Sequence, residues 1–293
     1  MLSYHSVREL VKAASEQKIT ISRLILQDQA ALMQQSEDEL FHRMHQNLLV
    51  MKSAAEKGAR HDTRSTSGLT GGDACRMMQY RQSGSPLGGS FAARAVSIAL
   101  AVAEHNAAMG KIVATPTAGS CGILPAALLT MMEERGTAEE QAVMALFTAG
   151  ALGLVIAAEA TISGAEGGCQ AECGSAAGMA AGALAELAGG SPNMVGNACA
   201  MALKNQLGLT CDPVAGLVEV PCIKRNAGGI ITAINACDMA LAGICSVIPV
   251  DEVIAAMREV GDAMPVSLRE TSQGGLAATP TALAIQNRIF GSQ

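Results

Sequence analysis

The chain is 293 residues long, 49% hydrophobic and only 16% charged, with 20 Lys and Arg against 26 Asp and Glu for a net charge of −6. That length allows one large or two ordinary domains; charge so far below the usual quarter or so excludes a disordered chain and implies a large interior or surface hidden against another subunit. Mild acidity, no dense basic cluster and few rings (Trp 0, Tyr 2, Phe 4) argue against a nucleic-acid reader, which needs concentrated Lys and Arg and platforms for stacking.

The opening region is the outer layer, with 17 charged residues in its first 64 positions. Ser6 with Glu9 forms a capping box ahead of Val7, Leu10, Val11 and Ala14, predicting an amphipathic helix. A second helix is expected over Ser22 to Gln35. A third is announced by Ser36 and Glu39, carries Leu40, Met44 and Leu48 on one stripe, and fades near Gly58. From Arg64 to Gly89 the glycines and serines predict loop, a short helix over Asp73 to Gln82, then loop. Phe91 to Met109 reads as an Ala-rich helix ending at Gly110. The loop ATPTAGSCGILP follows, then an apolar helix to about Glu134, and Thr137 with Glu140 is expected to cap the next one.

The uncharged run Gln141 to Ala158 is long enough to hint at a membrane span. Its Ala, Gly and Thr content, lying between Glu140 and Glu159 with no basic flank, reads instead as a buried helix. From Ala142 to Leu203 there are four glutamates and no Lys or Arg, and Gly164 to Gly190 is dense in small residues, so helices there are expected to pack backbone against backbone. A helix from Pro192 to Gln206, a loop from Gly208 to Pro221, helices over Asn226 to Ile248 and Asp251 to Val260, and an irregular tail from Pro265 to Pro280 complete the reading. Period-two alternation is almost absent and no repeat or linker divides the chain. The expected architecture is therefore all-α, a single domain over residues 1–293 with Ala- and Gly-rich central helices, residues 1–60 forming the amphipathic outer layer.

Nine cysteines in a long chain are an odd count, and the start MLSYHSVRELVKAASEQ lacks the apolar core of a signal peptide. The thiols are therefore expected to stay reduced, in the cytoplasm. Gly110-Lys111 fails as a phosphate loop, and Gly68 to Gly72 fails as a dinucleotide fingerprint. His42 and His45 stand three apart on the third helix and read as solvated residues rather than a metal pair. His61, in the polar loop HDTRSTSG, is a candidate base. Cys199, Cys237 and Cys245 fall in apolar helical stretches and read as small core residues, while Cys75 and Cys121 are ambiguous. Cys169, Cys211 and Cys222 lie at Gly- or Pro-punctuated turns, where backbone can wrap around a cluster, and Cys173 is a possible fourth ligand beside them.

The stretches PTAGSCGILPA, ISGAEGGCQAE and NQLGLTCDPVAGLVEVPCIKRNA, with forty-one residues between Cys169 and Cys211 and ten between Cys211 and Cys222, resemble the α chain of the iron–sulfur L-serine dehydratases, or L-serine ammonia-lyases, which use no pyridoxal phosphate. The resemblance covers nearly the whole chain. It implies a [4Fe–4S] cluster held by Cys169, Cys211 and Cys222 with one iron open to substrate, and leaves Cys173 unassigned. It also implies L-serine as substrate, pyruvate and ammonia as products, and a separate β subunit, because the segment GPSSSHTVGP of single-chain members is missing here. The cysteine that some members carry near the C-terminus is missing too; this chain ends NRIFGSQ. His61 is then a candidate base, with the histidines of the β portion equally good or better candidates by the resemblance, and Glu166, expected to be buried, is a candidate proton carrier or a support for the cluster ligands. Ser65, Thr66, Ser67 and Gly68 are a candidate carboxylate-binding turn of amides; Thr117, Arg225 and Asn226 are candidate substrate contacts, Arg225 through a bidentate pair. Nucleic-acid and membrane partners are not expected. Rival readings are an iron–sulfur lyase releasing sulfide from cysteine, a cluster-carrying scaffold or sensor without catalysis, and a pyridoxal-phosphate dehydratase; the last is disfavoured because no central lysine sits in a convincing cofactor loop.

Overall fold

The caps read from the sequence start the first helices of the computed structural model, which describes residues 3–291. Ser6 Oγ accepts from the Glu9 N–H at 3.1 Å and opens α1 (Val7–Gln17). Thr20 opens α2 (Ile21–Met33) in the same way, and Ser36 with Glu39 makes a reciprocal capping box at the head of α3 (Glu37–Gly58). The chain continues through α4 (Asp73–Ser83), α5 (Gly89–Ala107), α6 (Ile123–Arg135), α7 (Glu139–Glu159), the short α8 (Gly164–Gly167), α9 (Ser175–Leu187), α10 (Pro192–Lys204), α11 (Cys222–Leu241), α12 (Val250–Ala263) and α13 (Pro280–Phe290). Among the described residues there is no strand, so the architecture is all-α; the sole ladder contact is an isolated bridge between Cys211 and Arg269.

The centre is α9, packed against α6, α7, α10 and α11. Every residue from Ser175 to Ala185 is buried, the pattern of a helix enclosed on all sides. Its glycines are notches for neighbouring side chains: a Cβ on Gly182 would stand 2.3 Å from Leu152 Cδ1, and one on Gly178 would stand 3.1 Å from Leu203 Cγ and 3.2 Å from Cys199 Sγ. The expected backbone-to-backbone packing is found at the start of the small-residue stretch 164–190, where a Cβ on Gly261 of α12 would lie 3.1 Å from Gly167 Cα, and outside it as well. Between α3 and α5, a Cβ on Gly58 would lie 1.8 Å from the Ala101 carbonyl oxygen, and one on Gly122, just before α6, would lie 2.3 Å from that of Ala99. α7 is long and apolar enough to cross a membrane by length and composition, and 67% of its most apolar window is buried in the fold.

Several expectations are corrected. Thr137 does not cap α7; the helix begins at Glu139, and Gln141 reaches back to accept from the Ala138 N–H at 3.0 Å. α11 starts at Cys222, four residues earlier than expected, and stops at Leu241 because Gly243 turns into left-handed backbone at φ +84°. Cys245 thus lies beyond the helix and is exposed rather than in the core. His45 is half-buried, its Nε2 2.5 Å from the Glu139 carboxylate that also takes Lys52, so it joins α3 to the first turn of α7.

Three helix N-termini are capped by carboxylates from other helices. Asp251 of α12 accepts from the Val7 and Arg8 N–H groups at 2.8 and 3.1 Å. Glu186 of α9 accepts from the Ser22 N–H at 3.3 Å and from Thr148 Oγ1 at 2.9 Å. Glu104 of α5, 1% exposed, accepts from Gly72, Asp73 and Ala74 at the head of α4.

Gly182→Ala drives a methyl into Leu152, and we expect it to lower unfolding free energy by about 1–3 kcal/mol in chemical denaturation. Burial raises the Glu186 pKa above its ordinary 4.5, so the folded state binds this proton more tightly than the unfolded chain. The resulting loss of stability sets in as pH rises through 4.5 towards the folded value. Glu186→Gln should flatten that part of the stability–pH curve; an unchanged slope would assign it to other groups.

Candidate active site

Cys169, Cys211 and Cys222 come from three separate segments. α8 is stopped by Gly168, whose φ of +74° and lack of room admit only glycine: a Cβ there would lie 2.6 Å from Met264 Sδ and 2.9 Å from the Leu209 carbonyl oxygen. Cys169 follows, and Gln170–Gly174 form one π turn that runs into α9. Gln170 pins this turn to the next segment: its backbone N–H donates to Leu209 O, its Oε1 accepts from the Gly208 N–H, and its Nε2 donates to Met257 O, all at 2.9 Å. Cys211 is held by the C-terminal tail, donating its N–H to Leu268 O at 2.8 Å and accepting from the Glu270 N–H at 2.7 Å. Cys222 is the first residue of α11.

The three thiols are buried, at 3, 4 and 9% exposure, and close enough that Cys211 feels the charge of both others and Cys222 that of Cys169. Cys173 is 1% exposed, its Sγ 3.4 Å from that of Cys169. The contact with Cys173 holds the Cys169 pKa below the usual thiol value with help from the Arg225 guanidinium; the same contact and burial push Cys173 up. Burial raises Cys211 and pushes Cys222 up to about 12. Among the described residues no three His, Cys, Asp or Glu side chains converge as one metal ion requires. Ligands of a cubane each take a different iron and stand farther apart.

Two charged side chains sit among these thiols. Arg225 donates to Thr210 O at 2.7 Å and to the buried Asp212 carboxylate at 2.8 Å. Asp212 in turn accepts from the Leu276 N–H at 2.7 Å, so Arg225 braces the loop around Cys211. Glu172, on the π turn, accepts from Thr117 Oγ1 at 2.7 Å, and the Cys211 thiol lies 3.8 Å from its other oxygen. Burial raises the Glu172 pKa above that of an ordinary carboxyl. Glycines open space beside it: a Cβ on Gly164 would stand 2.5 Å from Glu172 Oε2 and 3.1 Å from Cys211 Sγ, and one on Gly119 would stand 3.2 Å from Glu172 Oε1.

The structure thus brings Thr117 and Arg225 to the thiols. Asn226 joins them as a brace: fully buried, it accepts from the Gly122 N–H at 2.8 Å and donates to the carbonyls of Gly119 and Cys222. Ser65, Thr66, Ser67 and Gly68 form a separate turn whose amides are partly spent, Thr66 N–H on Ala107 O and Gly68 N–H on Ser65 O. That turn reaches the site through Glu219, 3% exposed, which accepts from Ser67 Oγ and Thr70 Oγ1, each at 2.8 Å, while its carbonyl accepts from the Ile223 N–H at the head of α11. His61 is exposed, its carbonyl oxygen accepting from Arg64 at 3.2 Å, and shares no hydrogen bond with the thiols among the described residues.

Glu166 corrects the expectation of burial: it is exposed and accepts from Thr161 Oγ1 at 2.6 Å, because α8 turns it outward. The acids at the site are the half-buried Glu172 and the buried Asp212 and Glu219, all missed. Glu172 stands three residues after Cys169 and one before Cys173, a spacing that puts it on their side of a helical turn; Glu219 is a lone acid in the apolar run LVEVPC. Of the other thiols, Cys121, Cys199 and Cys237 are buried, each pushed up to about 12 mainly by burial, and Cys75 is half-buried on α4.

A family model described as serine dehydratase alpha chain matches residues 16–277. The chain is 52% identical over 288 residues to the probable L-serine dehydratase, alpha chain, of Bacillus subtilis (strain 168), an alignment covering 98% of this chain and 96% of that one. It is 42% identical over 282 residues to the L-serine dehydratase, alpha chain, of Peptoniphilus asaccharolyticus, covering 96% and 97%. Against L-serine dehydratase TdcG of Escherichia coli (strain K12) it is 40% identical over 288 residues, covering 94% of this chain but 61% of that longer protein. With the sequence motifs gathered around one set of buried thiols and its match running through nearly the entire fold, the chain belongs to the serine dehydratase alpha chain family.

Proposed function

We propose that this chain is the α subunit of a cytoplasmic L-serine ammonia-lyase that converts L-serine to pyruvate and ammonia, with a [4Fe–4S] cluster held by Cys169, Cys211 and Cys222 and a β subunit as partner. The observation that carries the reading is the convergence of those three buried thiols, from separate segments, on Glu172 and Arg225 in a chain of this family. The site fits such a group: three soft donors mutually within charge range, glycines at 164 and 119 where any side chain would intrude, and a guanidinium to offset negative charge. When bound, the cluster would supply an iron without a thiolate ligand, a Lewis acid towards the substrate hydroxyl and carboxylate.

The remaining tasks belong to this chain's side chains. Glu172 takes the proton-holding role first assigned to Glu166, because burial favours its protonated form beside the thiols. Thr117 orients it through the bond to Oε1. Arg225 is a positioning residue, since Thr210 O and Asp212 occupy the face that a bidentate substrate contact would need. Asn226 likewise positions the Gly119–Gly122 loop against Cys222. The Ser65–Gly68 turn receives the substrate carboxylate at its exposed rim, Thr66 and Gly68, through the Thr66 hydroxyl, the Ser67 hydroxyl being spent on Glu219. His61, exposed on the same loop, is the base candidate that docking of the β subunit would bring into use.

Anaerobic reconstitution with iron and sulfide should load the wild-type chain and Cys199→Ser, whereas Cys169→Ser, Cys211→Ser and Cys222→Ser should each stay empty by iron analysis. With a β subunit added, the loaded chain should form pyruvate and ammonia from L-serine; a full iron complement without pyruvate, or sulfide release from L-cysteine in its place, overturns the proposal. Glu172→Gln should cut turnover by about 10²-fold or more while iron content is unchanged. Full activity in that variant removes Glu172 from the mechanism.

A further inference from the structure

Four thiols crowd this site, and the proposed cluster has use for three. Cys173 is the surplus one: it is buried, on the π turn, and its Sγ lies 3.4 Å from Cys169 Sγ. Two sulfurs already in van der Waals contact need only close to about 2.05 Å to bond. Residues four apart on a helical turn have Cβ atoms about 5–6 Å apart, slightly beyond the spacing a disulfide prefers, so the backbone must give a little. Here it can, because Gly167, Gly168 and Gly174 flank the pair and a single π turn replaces regular helix between them.

We propose that Cys169 and Cys173 are a reversible modification site: in the iron-free chain they close to a disulfide under peroxide, removing Cys169 from the ligand set until a thiol reductant restores it. The chemistry balances. The Cys169 sulfur attacks one oxygen of hydrogen peroxide, the O–O bond breaks, and a sulfenic acid and water form. The Cys173 sulfur then attacks that sulfenic sulfur, its proton leaving with the departing hydroxide as a second water. Two thiols and one peroxide give one disulfide and two waters, two electrons passing from sulfur to oxygen. The pairing protects Cys169 as well, since a sulfenic acid with no partner thiol oxidises onward to a sulfinic acid that thiols do not reverse. The bond itself is independent of the function proposed above; its effect on cluster loading rests on that reading.

The chain stripped of iron with a chelator is treated with hydrogen peroxide, the remaining thiols are alkylated, and the product is cut after glutamate. Cleavage at Glu166, Glu172 and Glu186 places Cys169 in Gly167–Glu172 and Cys173 in Cys173–Glu186. These two fragments should be found joined, lighter by two hydrogens than their sum, and should separate with dithiothreitol. The oxidised chain should refuse iron and sulfide until reduced. Cys173→Ser should load iron normally before treatment, yet after peroxide it should carry a sulfinic acid on Cys169 and stay unloadable after dithiothreitol. Peroxide that leaves both thiols free, links Cys169 to Cys211 or Cys222, or over-oxidises Cys169 in the wild type while Cys173 stays free overturns the proposal. A joined pair in the wild type together with normal iron loading by Cys169→Ser would uphold the disulfide and fail the ligand assignment.

Discussion

The distance between two of the thiols is set by how closely α9 and α11 approach. Cys169 leads through the π turn into α9, and Cys222 is the first residue of α11, so the two sulfurs ride on the same end of a packed helix pair. The approach is close because the facing residues are small. A Cβ on Gly229 of α11 would stand 3.9 Å from the Cys173 carbonyl oxygen on the π turn, and Ala233 and Ala236 are fully buried on the same helix. Such a scaffold holds its site more rigidly than loops alone, because well-packed interiors resist changes of even one methylene. Cys211 alone rides on a loop, and that loop is tied at Gln170, Arg225 and the tail.

A second theme is the use of acids from one helix to finish another. Asp251, Glu186 and Glu104 each accept from the first N–H groups of a helix distant in sequence, where the positive end of the helix dipole favours a carboxylate. These contacts join the outer layer to the core with direction as well as burial. α4 depends on one of them most, because Gly72 brings no capping side chain of its own.

What could be read in advance followed the range of the interaction. Caps made within four residues, at Ser6 and Ser36, and the small-residue character of α9 were visible because their causes are local. The nearness of Cys169, Cys211 and Cys222 was legible in their Gly- and Pro-punctuated turns and in the family resemblance. Glu172, Glu219 and Glu104 were not, since their partners lie 30 to 152 residues away and only the fold brings them together. Glu166 and Glu172 share one glycine-rich motif, and a six-residue shift through a short helix and a π turn decides which faces inward. Arg225 looked free for a ligand because nothing nearby in sequence announced that Thr210 and Asp212 would claim it.

Glu219 has a consequence beyond holding two loops. Its carboxylate gathers Ser67 and Thr70 while its own backbone opens the helix that begins at Cys222. Any event that orders one of these segments must therefore lower the cost of ordering the other, and thermodynamic reciprocity makes the effect equal in both directions. In the proposed enzyme, cluster loading and substrate capture would then be mutually reinforcing equilibria, transmitted through a single buried acid.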